Sequence, residues 1–206
     1  MEVALSAGRL TLTRPCYGGN AREVVALITV PAIATVRPGC YDVLAFDASR
    51  SGTVEQVQPE RDAPAIRTRI VARKLDAADG MRLEDAKVIV AGGRGLNGAD
   101  GFRVLAKLAR ALGGSVGASR VPCDLGWCPR SWQIGLTGRT VTPELYIAVG
   151  ISGAGHHMAG CGNAKAIVAV NTDPEAAIFR DARYGVVGGY QQFIPAFISE
   201  VERLRG

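Results

Sequence analysis

The chain has 206 residues, a formal net charge of +5 and a composition that is 48% hydrophobic but only 6% aromatic. Its lysines and arginines are scattered and are not interleaved with aromatic residues, which argues against nucleic-acid binding. No apolar run is long enough to cross a membrane, and the first residues lack the basic and apolar segments of an export signal. These observations predict a cytoplasmic α/β protein without membrane insertion.

The first third of the chain contains strand-like segments and no long helical pattern. Leu10–Thr13 and Glu23–Thr29 predict strands, and Asp42–Ala45 is a further candidate. Residues 46–66 are rich in charge, serine and proline, which predicts loop or edge material. So little apolar sequence is marginal for independent folding. We therefore expect residues 1–76 to be an incomplete domain that is part of a larger unit or packs on something else.

Residues 77–206 alternate between apolar runs and helical spacing, after a linker predicted at Asp76–Glu84. The runs that predict strands are Val88–Ala91, Ser115–Ala118, Leu145–Val149, Ala166–Val170 and Tyr184–Val187. Apolar residues recur at helical spacing from Phe102 to Leu112 and again from Ile194 to Leu204. Strands that are apolar throughout are typical of parallel strands covered on both faces. The sequence thus predicts a doubly wound, parallel five-stranded sheet.

A glycine turn, Gly92-Gly93-Arg94-Gly95, follows the first of these strands. Glycines at a strand-to-helix turn let backbone N–H groups approach a phosphate, and the start of the next helix adds positive potential. Arg94 would contribute a cation with a planar set of donors. The turn alone fits an ordinary tight connection with a solvated arginine better than it fits a phosphate site, because single glycine motifs are common.

Small and polar residues also follow the other predicted strands, at Ser119-Arg120, Gly150–His157 and Asn171–Asp173. A further loop, Gln133–Gly138, precedes the third strand. The carboxyl ends of parallel strands share one edge of a sheet, where ligands bind. This convergence favours a nucleotide-type ligand over a set of unrelated turns and caps. No nucleophile, base and acid stand out together, so we expect the ligand itself to carry the chemistry.

Five cysteines, an odd number, give no disulfide framework and fit a reducing compartment. Cys123, Cys128 and the pair His156-His157 raise the question of a zinc site. Their spacings match none of the familiar zinc patterns. Buried or loop thiols are the better interpretation, and we expect no metal.

The second part of the chain carries four dense motifs, "VIVAGGRGL", "VGASR", "IGLTGRTVTPELYIAVGISGAGHHMAG" and "AIVAVNTDPEAAIFRDARYGVV". Over about residues 86–200 they resemble the FAD-binding domain of the electron transfer flavoprotein alpha subunit. In the first part, "TRPCYGGNA" (Thr13–Ala21) and "ATVRPGCYD" (Ala34–Asp42) resemble the end of that family's first domain. The earlier elements of that domain have no counterpart. The resemblance thus implies a front-truncated member, a fragment, or a variant whose missing half comes from another polypeptide. It also allows a mitochondrial matrix location if the natural N-terminus is missing.

The resemblance implies an electron carrier, not an enzyme, that holds FAD and forms a heterodimer with a beta subunit. Such a carrier passes electrons from flavoprotein dehydrogenases, such as the acyl-CoA dehydrogenases of fatty acid oxidation, to a downstream acceptor. Matched position by position, Arg94 and Ser119 lie near the FAD phosphate and Arg120 lies over the isoalloxazine ring. Thr137 matches a hydroxyl near flavin N5, and His157 matches a histidine near the O2 carbonyl.

The remaining matched positions complete the implied cofactor site. Ser152, Gly153 and Ala154 match the loop at the pyrophosphate or ribityl chain, and Asn171 matches a contact on the adenosine side. The other implied contacts are Ile134, Gly135, Leu136, Gly155 and His156. A cation and a donor beside the N1–O2 edge would stabilise a reduced, anionic flavin.

Some positions depart from the family pattern. Leu136 replaces a glutamine, Gly155-His156 replaces an apolar residue and a glutamine, and Gly188-Gly189 stands where an aspartate is expected. These changes imply an altered affinity for FAD. Two other functions remain open. An NAD-dependent enzyme needs an acidic ribose anchor about twenty residues after the turn, and Gly113–Gly117 contains none. A non-redox nucleotide-binding or assembly module would keep the fold without flavin.

Overall fold

The computed structural model describes residues 2–17, 21–36, 40–41, 43–58, 68–72 and 82–205. The N-terminal part is an antiparallel sheet of β1 (Glu2–Ser6), β2 (Arg9–Cys16) and β3 (Ala21–Ala26), in that order. Ala7 and Gly8 join β1 to β2 with φ of 47° and 74°. Two successive residues with positive φ suit a two-residue hairpin, so this local geometry sets the register of the first pair.

The strands predicted at Leu10–Thr13 and Glu23–Thr29 correspond to β2 and β3, although β3 ends earlier, at Ala26. The prediction missed β1, because Val3 and Leu5 give only one step of alternation within a strand of five residues. The strand predicted at Asp42–Ala45 is wrong for residues 43–45, which are irregular and exposed. Asp42 lies outside the described residues. A short apolar run needs a neighbouring strand to complete its backbone hydrogen bonds, and these residues have none in the described chain.

The second part is a parallel five-stranded sheet with the order β5-β4-β6-β7-β8. Its strands are β4 (Val88–Gly92), β5 (Ser115–Ala118), β6 (Leu145–Val149), β7 (Ile167–Asn171) and β8 (Tyr184–Val187). The helices are α1 (Asp100–Leu112), α2 (Arg120–Asp124), α3 (Gly155–Cys161) and α4 (Tyr190–Arg205). The predicted α/β sheet is thereby confirmed. The prediction missed α2 and α3, which are too short to show helical periodicity.

The two faces of this sheet carry separate apolar layers, because successive side chains of a strand point to opposite faces. Val90, Ile147 and Val170 pack with residues of α1 and α4. Ile89, Tyr146 and Ala169 pack on the other side, against α3 and the segments 134–141 and 176–182. Central strands are thus covered twice, as their continuous apolar sequence predicts.

The linker predicted at Asp76–Glu84 is wrong for its last residues. Leu83 is buried in the apolar layer beside β4, and Leu83–Asp85 forms a single 3₁₀ turn. The Glu84 carboxylate accepts a hydrogen bond from Arg139, which joins this turn to the segment before β6. Residues 76–81, and with them the predicted domain boundary after residue 76, lie outside the described residues. That boundary stays a prediction.

Candidate functional site

The carboxyl ends of β4, β6 and β7 meet at one edge of the sheet. The strand order reverses between β4 and β6, since the chain runs from β4 out to β5 and then returns to the other side of β4. Such a switch point is where open α/β sheets place their ligands. The loops after these strands carry Arg94, Ser152–His157 and Asn171, so the structure brings these residues to the expected edge.

The glycine turn after β4 is explained by a crossing of two loops. A Cβ atom on Gly93 would lie 2.1 Å from the carbonyl oxygen of Gly150, and one on Gly95 would lie 2.8 Å from its Cα. The Gly93 N–H donates to Val149 O at 2.9 Å, and the Gly95 N–H donates to Gly150 O at 3.0 Å. The N–H groups of Gly93 and Gly95 are therefore already bonded within the protein, and phosphate binding at this turn stays a prediction. The Arg94 side chain is exposed and is available to contact a ligand.

The loop after β6 supplies backbone donors instead. Within the described chain, the N–H groups of Ser152 to His156 have no hydrogen-bond partner. This loop is fixed to the segment between β7 and β8, because the Ile178 N–H donates to Ser152 O at 3.0 Å. Gly153 has φ of +85°, and a Cβ there would lie 2.2 Å from the Ile178 nitrogen. A fixed run of unpaired N–H groups that leads into α3 is suited to an anionic ligand.

A second loop, residues 133–139, packs directly beside that run. The Leu136 N–H donates to His156 O at 2.7 Å, and a Cβ on Gly160 would lie 2.3 Å from the Gly135 nitrogen. The structure therefore brings Ile134–Thr137 next to the start of α3, and a contact of these residues with a cofactor stays a prediction. The Leu136 side chain is exposed.

Thr137 has a buried partner that the sequence analysis missed. Gln133 is only 4% exposed, and its Nε2 donates to Thr137 Oγ1 at 2.9 Å. With this acceptor position filled, the hydroxyl hydrogen of Thr137 is free to donate to a ligand. The Gln133 Oε1 atom is buried and has no partner within the described chain. A glutamine four residues before a threonine in an irregular loop gives no periodic signal, so only the structure shows this pair.

His157 is buried and bonded at both ring nitrogens. Its Nδ1 lies 3.0 Å from Ile134 O, and a carbonyl can only accept, so Nδ1 carries the hydrogen. Its Nε2 accepts from the Tyr146 hydroxyl at 2.9 Å. Burial lowers the pKa of His157 to about 4 and raises the pKa of the fully buried Tyr146 well above its usual range. The imidazole is therefore neutral, and in this structure it ties α3 to loop 133–139.

Ser119 and Arg120 follow β5 at the start of α2. The Ser119 N–H donates to Gly92 O at 2.9 Å, which joins the ends of β4 and β5. The exposed Arg120 guanidinium donates from Nε to Asp124 Oδ2 at 3.0 Å, within its own helix. Arg130 approaches the same carboxylate at 3.8 Å. Arg120 is thus a solvent-facing cation partly balanced by one acid.

Asn171 joins the ends of β6 and β7, and both the nitrogen and the oxygen of its side-chain amide are hydrogen-bonded within the protein. Its Nδ2 donates to Ile151 O at 3.0 Å, and its Oδ1 accepts from the Asp173 N–H at 3.0 Å. These bonds hold the loop after β6 in place. Within the described residues, no group of three or more acidic, histidine or cysteine side chains is arranged to hold a metal ion.

The comparisons with known proteins agree with this architecture. Residues 82–162 match the family model described as the electron transfer flavoprotein FAD-binding domain, and residues 1–62 match the electron transfer flavoprotein domain. An electron transfer flavoprotein subunit alpha from Bacillus subtilis (strain 168) is 45% identical over 204 residues, which are 99% of this chain and 62% of that relative. The chain belongs to the electron transfer flavoprotein alpha subunit family.

Other members of the electron transfer flavoprotein alpha subunit family give the same coverage. The subunit alpha of Thermoanaerobacterium thermosaccharolyticum is 44% identical over 96% of this chain and 60% of that relative. The mitochondrial subunit alpha of Arabidopsis thaliana is 39% identical over 97% of this chain and 57% of that relative. The chain thus spans about 60% of the length of these family members. In its described part, no helix is both long and apolar enough to cross a membrane.

Proposed function

We propose that this chain is the FAD-binding subunit of an electron carrier that serves flavoprotein dehydrogenases and a downstream acceptor. The observation that carries the proposal is the run of unpaired N–H groups from Ser152 to His156, placed beside the free hydroxyl hydrogen of Thr137. One group suits a diphosphate and the other suits a ring nitrogen, which is the pairing of features that a flavin dinucleotide needs. Acyl-CoA dehydrogenases are the donor class that we propose.

The donor set fits FAD. The loop after β6 would hold the diphosphate, with Arg94 as a nearby cation, and Thr137 would face the isoalloxazine ring. FAD, when bound, supplies the redox chemistry, since the described residues offer no assembled nucleophile, acid and base. The chain binds and orients the cofactor and is not itself an enzyme.

We assign different roles to Arg120 and His157. Arg120 is exposed and able to leave its pairing with Asp124, so it supplies positive charge that favours an anionic, reduced cofactor. His157 has no N–H left for a ligand, because Nδ1–H already donates to Ile134 O. His157 therefore does not donate to flavin O2 in this proposal. It has a positioning role, because it fixes the loop that carries Thr137.

A partner subunit completes the proposal. The named relatives are alpha subunits, which supports a beta subunit as the partner. The cofactor would bind at an exposed edge of the sheet, so a covering surface is needed to keep water and oxygen from the ring. Within the described residues, no further strand pairs with the outer side of β1 or β3 in the N-terminal sheet, although the Val3 N–H on β1 donates to the Tyr41 hydroxyl.

The decisive experiment is an absorbance spectrum of the chain co-purified with and without the beta subunit of a relative. We expect a yellow heterodimer by light scattering, whose flavin bands bleach on reduction and recover on oxidation. A colourless protein that takes up no FAD even with the beta subunit would contradict the proposal. That result would favour the non-redox nucleotide-binding module. The departures from the family pattern at Leu136 and Gly188-Gly189 are consistent with such a module.

The pair Gln133–Thr137 gives a specific prediction for cofactor affinity. Thr137→Val should weaken FAD binding about tenfold, or ~1.4 kcal/mol, because it removes one hydrogen bond at a desolvated contact. Gln133→Leu should weaken binding less, by freeing the hydroxyl to turn away. The double variant should bind FAD no worse than Thr137→Val alone, since the two residues act through one contact.

Thr142→Val is the matched control, because Thr142 precedes β6 at the opposite edge of the sheet. Flavin fluorescence titration measures all four affinities. An unchanged affinity for Thr137→Val would remove this hydroxyl from the site. Fully additive losses in the double variant would mean that Gln133 acts independently of Thr137.

A further inference from the structure

We propose that Cys123 and Cys128 are a reversible dithiol–disulfide pair, a modification site for low-molecular-weight disulfides of the glutathione type. Their Sγ atoms lie 3.5 Å apart, in contact and not yet bonded. A disulfide requires about 2.0 Å between the sulfurs. Closing the remaining gap needs only a small rotation of two side chains that already face each other.

The backbone of the intervening turn is what brings the two thiols together. After α2 the chain folds back through Gly126, whose φ is +72°. The Gly126 N–H donates to Cys123 O at 3.1 Å, and the Trp127 N–H donates to Pro122 O at 2.9 Å. These bonds hold the turn at both ends, so the short distance between the sulfurs is a property of the fold.

The two thiols differ in access, which sets the order of the reaction. Cys123 is half-buried and Cys128 is buried. The Cys123 thiolate would attack one sulfur of the small disulfide and release one thiol, which leaves a mixed disulfide on Cys123. The Cys128 thiolate would then attack Cys123 Sγ and expel the second thiol. Two protein thiols are oxidised, the small disulfide is reduced, and the two protein protons leave on the two released thiols.

The surroundings make this exchange slow at neutral pH. Burial raises the pKa of both thiols, that of Cys128 to about 12, so the reactive thiolate is scarce until the solution becomes alkaline. The other described thiols lack a sulfur neighbour. Cys161, for example, donates to His157 O inside the apolar layer. Cys123 and Cys128 therefore react as a pair, whereas Cys16, Cys40 and Cys161 have no neighbouring thiol among the described residues with which to form a bridge.

The sequence provides a direct readout, because cleavage after Arg120 and Arg130 releases both cysteines in one tryptic peptide, Val121–Arg130. The reduced full chain is incubated with oxidised glutathione at mildly alkaline pH, alkylated and digested. We expect this peptide to lose two alkylation sites and two hydrogens, and dithiothreitol to restore them. The chain should lose two of its five thiols.

Two variants separate the roles of the cysteines. Cys128→Ser should accumulate glutathione on Cys123, and Cys123→Ser should leave Cys128 largely unmodified. Cys161→Ser should form the bridge as the unaltered chain does. Persistence of both thiols in the unaltered chain, or glutathione on Cys123 that is never displaced, would overturn the proposal. Oxidation that spreads equally over all five cysteines would overturn it as well.

Discussion

Replacement of Gly153 by alanine is expected to destabilise the second part of the chain by about 3 kcal/mol or more and to abolish FAD retention. Gly153 has φ of +85°, a region that costs a residue with a Cβ about 1–2 kcal/mol. The new Cβ would also lie 2.2 Å from the nitrogen and 2.5 Å from the Cα of the buried Ile178. Forced overpacking of this kind adds about 1–3 kcal/mol. Relief requires movement of the loop that carries the unpaired N–H groups, so the anion site is lost with the stability.

Gly113→Ala is the matched control for this prediction. Gly113 has a similar φ of +67°, but no atom lies within 4 Å of its ideal Cβ position. Its replacement should cost only the conformational part, about 1 kcal/mol, and leave FAD affinity unchanged. Urea unfolding of both variants measures the difference. Equal losses of stability would show that the contact with Ile178 does not constrain Gly153.

Acidification is expected to destabilise the fold through His157. The unfolded histidine titrates near 6.5, whereas burial holds the pKa of the folded one at about 4. As the pH falls through this window, the unfolded state binds a proton that the folded state does not bind, so stability is lost. Between about pH 8 and about pH 5 the loss from this one group is about 2 kcal/mol, since roughly 1.5 units of the window are crossed.

His157→Gln isolates that contribution. A glutamine can donate to Ile134 O and accept from the Tyr146 hydroxyl, as the neutral imidazole does, but it does not titrate. Unfolding free energies measured by denaturant titration across this pH range should fall less steeply in the variant, by about the same 2 kcal/mol. Parallel pH profiles for the two proteins would show that the histidine is charged in the folded state or that its burial is incomplete.

The sequence predicts the five-stranded sheet well because its strands are buried on both faces. Runs such as Leu145–Val149 are apolar at every position and end in glycine or polar residues, so type and extent can both be read. The placement of site residues at one edge follows from parallel topology. The short helices α2 and α3 could not be predicted, because five to seven residues contain too few turns for a periodic pattern.

What the sequence could not predict is which polar atoms are already used. The N–H groups of Gly93 and Gly95 look available in the sequence but are bonded across a loop crossing. The imidazole of His157 likewise fits a ligand contact by position, yet both of its nitrogens have protein partners. Gln133 carried no signal at all. Each of these depends on a contact between residues distant along the chain, which no local pattern encodes.

Because the two loops cross, Arg94 can be substituted with little effect on the fold. Gly93 and Gly95 are both pressed against Gly150, so the backbone on either side of Arg94 is clamped while its side chain points into solvent. A substitution there alters charge and reach without disturbing what lies beneath. Variants of Arg94 should therefore have the same unfolding free energy while their ligand affinity differs. Differences in affinity among them then report the electrostatic contribution of this side chain.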